Sequence, residues 1–261
     1  MLKGITAVSA CSLFCLSLLA GCGTNNPPAS SGAEETGPDV QSVETQLSVF
    51  VRQKPFWGYL VEEYFDTLSY AVTDLDQNGR LEVISASVSG SGLYTTAYFH
   101  EINSIGNDVE PCTYGVPVYE SGSDFSFSDS VPCYYDADSN TYYYIFTDSI
   151  RNGAGEFYLS YDAVSLKDGT VTARHLGTQA TIYDADGNPT VTYFNSDSTE
   201  ISEEEFNALA DTAFPTAEKL QATFSWFSAE DDDGTLISAD TMQDDALLTQ
   251  LQASFAGFSV G

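Results

Sequence analysis

The chain has 261 residues, with 8 Lys and Arg against 38 Asp and Glu and a formal net charge of −30. Such a field repels polyanions and excludes nucleic acid as a partner. At 43% hydrophobic and 13% aromatic the chain holds enough apolar material for a buried core, so it is not a disordered acidic tail, and its length fits one globular domain or two small ones.

Lys3 supplies a short positive start, Ile5 to Ala20 form an apolar run, and Leu19-Ala20-Gly21-Cys22 places small residues ahead of a cysteine. This is the pattern of a secretion signal. The four residues resemble the lipobox of bacterial lipoproteins, and the resemblance implies that residues 1–21 are removed and Cys22 is diacylated. The protein is then expected at the cell membrane, held by lipid on its extracytoplasmic face. An uncleaved transmembrane anchor is the other reading of the same run, and it also leaves the rest of the chain outside. Residues 22–41 carry the lipidated cysteine and a Pro-, Gly-, Ser- and Glu-rich tether, which as a flexible coil reaches about 25 Å. The folded domain is expected over 42–261.

Val43, Leu47, Phe50 and Val51, then Trp57, Leu60, Val61, Tyr64, Phe65 and Leu68, predict two amphipathic helices separated at Lys54-Pro55. From Tyr70 the apolar period changes to two. Strands are expected near 69–74, 81–89, 93–102, 141–148, 156–166, 170–176, 179–184 and 189–195, joined by tight turns that imply antiparallel pairing. Ser202 and Glu205 form a capping box, and Ile201 can staple onto Phe206, so a helix starts there and ends at Pro215. A strand near 219–228 and a helix near 241–256 complete the expected fold, which is α+β: an antiparallel β-sheet with amphipathic helices packed against it at the N- and C-terminal parts. No repeat period emerges, which removes support for propellers and solenoids.

Cys112 and Cys133 are the two cysteines left after the signal and the lipidated residue. In an oxidising compartment they are a candidate disulfide, closing an irregular loop for roughly 3 kcal/mol of stabilisation; two free thiols are the alternative.

One motif carries chemistry. Asp74, Asp76, Asn78 and Glu82 place side-chain oxygens at positions 1, 3, 5 and 9 of a loop, Arg80 offers its backbone carbonyl at position 7, and Gly79 sits at the sharp turn of position 6. That spacing wraps a hard oxygen-seeking cation, and calcium is the expected ion. An EF-hand requires a bidentate Glu at position 12, where this chain has Ser85, and both flanks read as strands. Loops of this kind resemble those of FG-GAP-type repeats, and the layout over residues 70–84 resembles that of uncharacterised surface lipoproteins of anaerobic Gram-positive bacteria. The resemblance implies a cell-surface calcium-binding lipoprotein in which the ion fixes a turn, and it supplies no activity. Without a carboxylate at position 12 the affinity is expected at ~10⁻⁴ to 10⁻³ M.

Asp136–Asn140 and Asp184–Asn188 echo this loop but carry Tyr144 and Thr192 at position 9, and the acidic run Glu230–Gly234 lacks alternation; these read as solvated turns. Tyr134, Tyr135, Tyr142, Tyr143 and Tyr144 offer either a ligand platform or cross-strand packing. His100 and His175 lie in predicted strands, and no nucleophile or zinc motif accompanies them. The expected function is a lipid-anchored, calcium-binding, non-enzymatic domain that binds an extracellular carbohydrate or protein. The alternative is a carbohydrate-active hydrolase using an Asp/Glu pair.

Overall fold

The structure is a computed structural model that describes residues 41–59, 67–89, 94–115, 128–231 and 233–261. The signal segment, Cys22 and most of the tether fall outside the described residues. No helix among the described residues is long and apolar enough to cross a membrane.

Helix α1 (Val43–Arg52) is capped by Ser42, whose hydroxyl accepts the Thr45 N–H, and it buries Gln46, Leu47, Val49 and Phe50. Helix α2 (Lys54–Trp57) follows one residue later. Pro55 lies in its first turn, where the missing N–H costs nothing, so the break falls at Gln53 and not at the proline. The second helix expected through residue 68 is thus only four residues long where described; 60–66 lie outside the described residues, and Leu68 is already in a strand.

Strands β1 (Thr67–Thr73), β2 (Glu82–Ser89), β3 (Tyr94–Ile102) and β4 (Val109–Pro111) pair antiparallel in that order as a first sheet. The second sheet holds β6 (Ser130–Asp136), β7 (Thr141–Asn152), β8 (Glu156–Lys167), β9 (Thr170–Tyr183), β10 (Pro189–Asn195), β11 (Glu200–Ile201), β12 (Glu218–Thr223) and β13 (Ser259–Val260), in the order β11-β10-β9-β8-β7-β6-β12-β13. The short β5 (Thr113–Tyr114) joins β9 in parallel. Helices α3 (Glu203–Asn207) and α4 (Leu209–Ala213) follow β11, and α5 (Asp244–Gly257) precedes β13.

The period of two sorts each strand's side chains between layers. On β1 and β2, Leu68, Tyr70, Val72 and Val83 pack under α1, α2 and α5 with Phe50, Trp57, Leu247 and Leu251. Ile84 on the opposite face joins Phe99, Cys133, Tyr144, Phe146, Val164 and Phe224 between the sheets. Beyond the second sheet, Tyr134, Ile145, Ala163 and Leu176 pack against Leu209 and Phe214. The layers therefore run helix, sheet, sheet, helix.

This corrects the α+β expectation. The described residues hold thirteen strands and five short helices, so the protein is dominated by two antiparallel sheets. Periodicity gave the strands near Cys133 too little weight because Val131, Cys133 and Tyr135 sit in a run broken by Pro132 and read as loop. The two strands expected over 170–184 are one strand, bent by a bulge where Tyr161 and Asp162 change register. The capping box at Ser202 and Glu205 forms as expected.

Two segments cross between the sheets. Cys112 N–H donates to Phe99 of the first sheet, and the next residue, Thr113, donates to Gly169 of the second. Likewise β12 belongs to the second sheet while Phe227, four residues on, exchanges both backbone hydrogen bonds with Tyr70.

Candidate metal centre

The loop between β1 and β2 starts after Thr73, which stands opposite Glu82 in the ladder. Closing it takes two left-handed residues, Gln77 at φ 55° and Gly79 at φ 83°. The second is the position where only glycine is free of a Cβ penalty. The carboxylate of Asp74 accepts the Gly79 N–H at 3.1 and 3.3 Å, and Asp76 Oδ1 accepts the Asn78 N–H at 3.3 Å. These contacts curl the backbone around the acid groups.

Glu82 closes the ring. It opens β2 and is fully buried. Its Oε2 accepts the Thr73 hydroxyl at 3.0 Å and the Leu75 N–H at 2.8 Å, while its Oε1 is buried without any hydrogen-bond partner. One acceptor atom each from Asp74, Asp76 and Glu82 lies within 4.8 Å of the others. Burial drives all three carboxyls upward: Asp74 to about 6, Asp76 above its ordinary value, and Glu82 well above it, with the neighbouring acids adding to the last. Three carboxylates held together, two half-buried and the third fully buried with an orphaned oxygen, are what a hard divalent cation neutralises.

The other two residues of the motif also brace the loop. Asn78 turns its Nδ2 toward Asp76 Oδ2 (3.0 Å) and Glu101 Oε1 (2.9 Å), and its Oδ1 accepts the Arg80 N–H at 2.6 Å. The Arg80 guanidinium pairs with Glu101 at 2.7 Å. Ser85, at position 12, is buried in β2 and donates to the Trp57 carbonyl, so no twelfth ligand exists in this loop.

Two residues that support the loop were missed in the sequence. Glu101 lies directly across β3 from Glu82, a pairing of like charges that is unfavourable without a cation between or beside them. Arg80 and Asn78 supply that compensation. Gln46, on the buried face of α1, donates to the Gly79 carbonyl at 2.9 Å and accepts the Leu81 N–H at 2.8 Å. A glutamine between Thr45 and Leu47 on an apolar helix face was the available signal, and Glu101 was available from pairing the two predicted strands.

Elsewhere the expected candidates sort differently. Asp136 is half-buried and Asp184 exposed, and hydrogen bonds from their own turns pull both carboxyls below the usual range. Asp231 accepts the N–H groups of Asp233 and Thr235 as a simple turn. Tyr134 and Tyr143 pack on Phe214, Tyr144 is buried between the sheets, and Tyr135 stacks on Tyr142 at 4.6 Å, so the aromatic hairpin is chiefly packing. Cys112 and Cys133 are buried, and their thiols are unbonded in this structure. They occupy the same inter-sheet core, where burial raises both thiols, Cys133 to about 12.

The β9 bulge gathers a second polar group. Asp162 Oδ1 lies 3.0 Å from His175 Nδ1, Thr178 Oγ1 lies 3.2 Å from His175 Nε2, and Ser160 donates to Asp162 Oδ2 at 2.6 Å. The Asp162 contact raises the His175 pKa. His100, by contrast, is half-buried with its ring edge-on to Phe56, and desolvation pushes it down to about 4.

No protein-family model, curated protein or solved structure matches the chain. The functional reading therefore rests on the geometry of the 74–82 loop.

Proposed function

We propose that this is a lipid-anchored extracytoplasmic protein whose β1–β2 loop binds calcium as a structural ion, and whose folded domain serves as a non-enzymatic ligand- or partner-binding surface. The observation that carries the ion reading is the buried, unpartnered Glu82 Oε1 beside Asp74 and Asp76. Those three carboxylates would be the anionic ligands, with the Arg80 carbonyl as a backbone ligand. Asn78 and Glu101 would hold the loop. Anchorage is supported by the Leu19–Cys22 sequence, and the ligand class proposed for the surface is an extracellular carbohydrate or protein.

Residues Asp39–Gly261 form one compact unit and suit the test. Thermal unfolding is measured with calcium, magnesium and chelator, for the wild type and for Asp74→Ala with Asp76→Ala. A calcium-selective rise confined to the wild type supports the ion site. Equal responses in both would show only screening of a highly negative surface and would sink the reading.

A second reading, a hydrolase, draws on the Asp162–His175–Thr178 line, in which an acid orients an imidazole whose far nitrogen meets a hydroxyl. Ester turnover that His175→Ala and Thr178→Val both abolish would favour it. Turnover unchanged in both variants would remove it.

A further inference from the structure

The loop that gathers the carboxylates is also the place where the first sheet is tied to the second. Leu75 is 2% exposed and its side chain lies in the inter-sheet core. Its peptide is held from both sides: the N–H donates to Glu82 Oε2 at 2.8 Å, and the carbonyl accepts the Tyr144 hydroxyl at 2.6 Å. Tyr144 belongs to β7 of the other sheet, is fully buried, and pairs with Cys133 on β6 and Val164 on β8. The β8–β9 turn comes up to the same loop, with the Asp168 backbone close enough to Asp76 to favour its charged form. At the same turn Gly169 stands against Glu101, since a Cβ there would lie 3.5 Å from Glu101 Oε2.

Next to these ties the sheets leave a gap. A cavity of about 230 Å³ opens there, lined by Arg80, Glu101, Cys112, Thr113, Asp168 and Gly169. At this corner the sheets are joined by the contacts of the loop and by the Cys112–Thr113 crossing, whose amides donate to Phe99 and Gly169.

We propose that the cation site is built by both sheets, with Tyr144 as a positioning residue that fixes the Leu75 peptide and through it the Glu82 carboxylate. The proposal rests on the calcium reading above. It has a reciprocal consequence, because coupling between two sites acts equally in both directions. If Tyr144 improves the loop for the ion, the ion tightens the packing of β6 and β7 around Tyr144. Calcium then locks one sheet to the other in addition to fixing the hairpin.

The test uses calorimetric calcium titration of the wild type, Tyr144→Phe and a control, Tyr135→Phe, whose hydroxyl donates to Asn140 in an exposed turn. Loss of one buried hydrogen bond that acts on the site predicts calcium binding weaker by about 3- to 10-fold in Tyr144→Phe. The control is expected to bind as the wild type does. Amide exchange in calcium and in chelator gives the reciprocal readout: slowing is expected in 131–135 and 141–146 of the wild type and is reduced in Tyr144→Phe. Alkylation of the Cys133 thiol is expected to follow the same order. Unchanged affinity in Tyr144→Phe, with calcium protection confined to residues 73–82, would overturn the two-sheet site while leaving the calcium reading intact. Absence of calcium binding by the wild type would overturn both.

Discussion

Asp74-Leu75-Asp76-Gln77-Asn78 and Asp184-Ala185-Asp186-Gly187-Asn188 both connect neighbouring antiparallel strands and share the same spacing of oxygens. In the second, Asp184 is exposed and its carboxylate accepts N–H groups from Asp186 and Asn188, so the charge is satisfied by its own turn and by water. In the first, burial raises the acids, and Glu82 contributes an oxygen with no partner. The comparison teaches that a D-x-D-x-N turn gathers a third carboxylate with a spare buried oxygen only where its position-9 residue is both an acid and buried. The second turn has Thr192 there, half-buried on β10.

The largest expected effect is removal of Asp74 and Asp76, the first pair of proposed ligands. With a dissociation constant of ~10⁻⁴ to 10⁻³ M, calcium at about 10 mM raises Tm by about 3–10 °C, and Asp74→Ala with Asp76→Ala abolishes the rise. Glu82→Gln sharpens the contrast. It removes the buried charge, so the ion-free protein melts about 2–6 °C higher than the wild type near neutral pH, while its calcium response is lost. Calorimetry in chelator and in calcium checks both halves.

The pH response follows from the raised carboxyls. Asp74 is near 6 in the ion-free fold against an ordinary value of 3.8, so its contribution to stability is present below the lower value and is lost as pH rises through about 6. Ion-free wild type is therefore expected to gain Tm on acidification from about 7 to about 5, and Asp74→Asn to gain less. In calcium the direction reverses, since protons displace the ion from the same oxygens. Comparing the two proteins at each pH separates this from the general relief of a net charge of −30.

Thr192→Glu puts an acid at position 9 of the second turn without burying it, and no calcium-dependent change in Tm is expected. Asp184→Ala shifts Tm by about 2 °C or less, equally with and without calcium. The smallest effect concerns His175. Its pKa is raised by Asp162, so the pair's contribution is full below the unfolded histidine value and fades as pH rises through the folded one. An imidazole titration by NMR that moves downward in Asp162→Asn checks it.

The hairpin around the loop was legible because Thr73 and Glu82 lie at the ends of two alternating runs with Gly79 at the turn. The fold class was less so. A four-residue helix before β1 and the strand containing Cys133 depend on what covers them, and local periodicity does not record that. The carboxylates Asp74, Asp76 and Glu82 came from spacing, whereas Gln46 and Glu101 reach the loop across 33 and 23 residues of chain separation.

The sequence by itself determined which oxygens gather in the loop, since nine consecutive residues and one glycine set their relative positions. It also supplied the capped helix at Ser202 and the alternation that sorts each strand between two layers. Only the tertiary structure decided that Glu82 is buried with a spare oxygen, that Glu101 faces it, and that Tyr144 reaches the Leu75 carbonyl from the second sheet. The reason is physical: spacing along a chain fixes contacts within a turn, but desolvation and cross-sheet hydrogen bonds depend on what other segments bring to the same place.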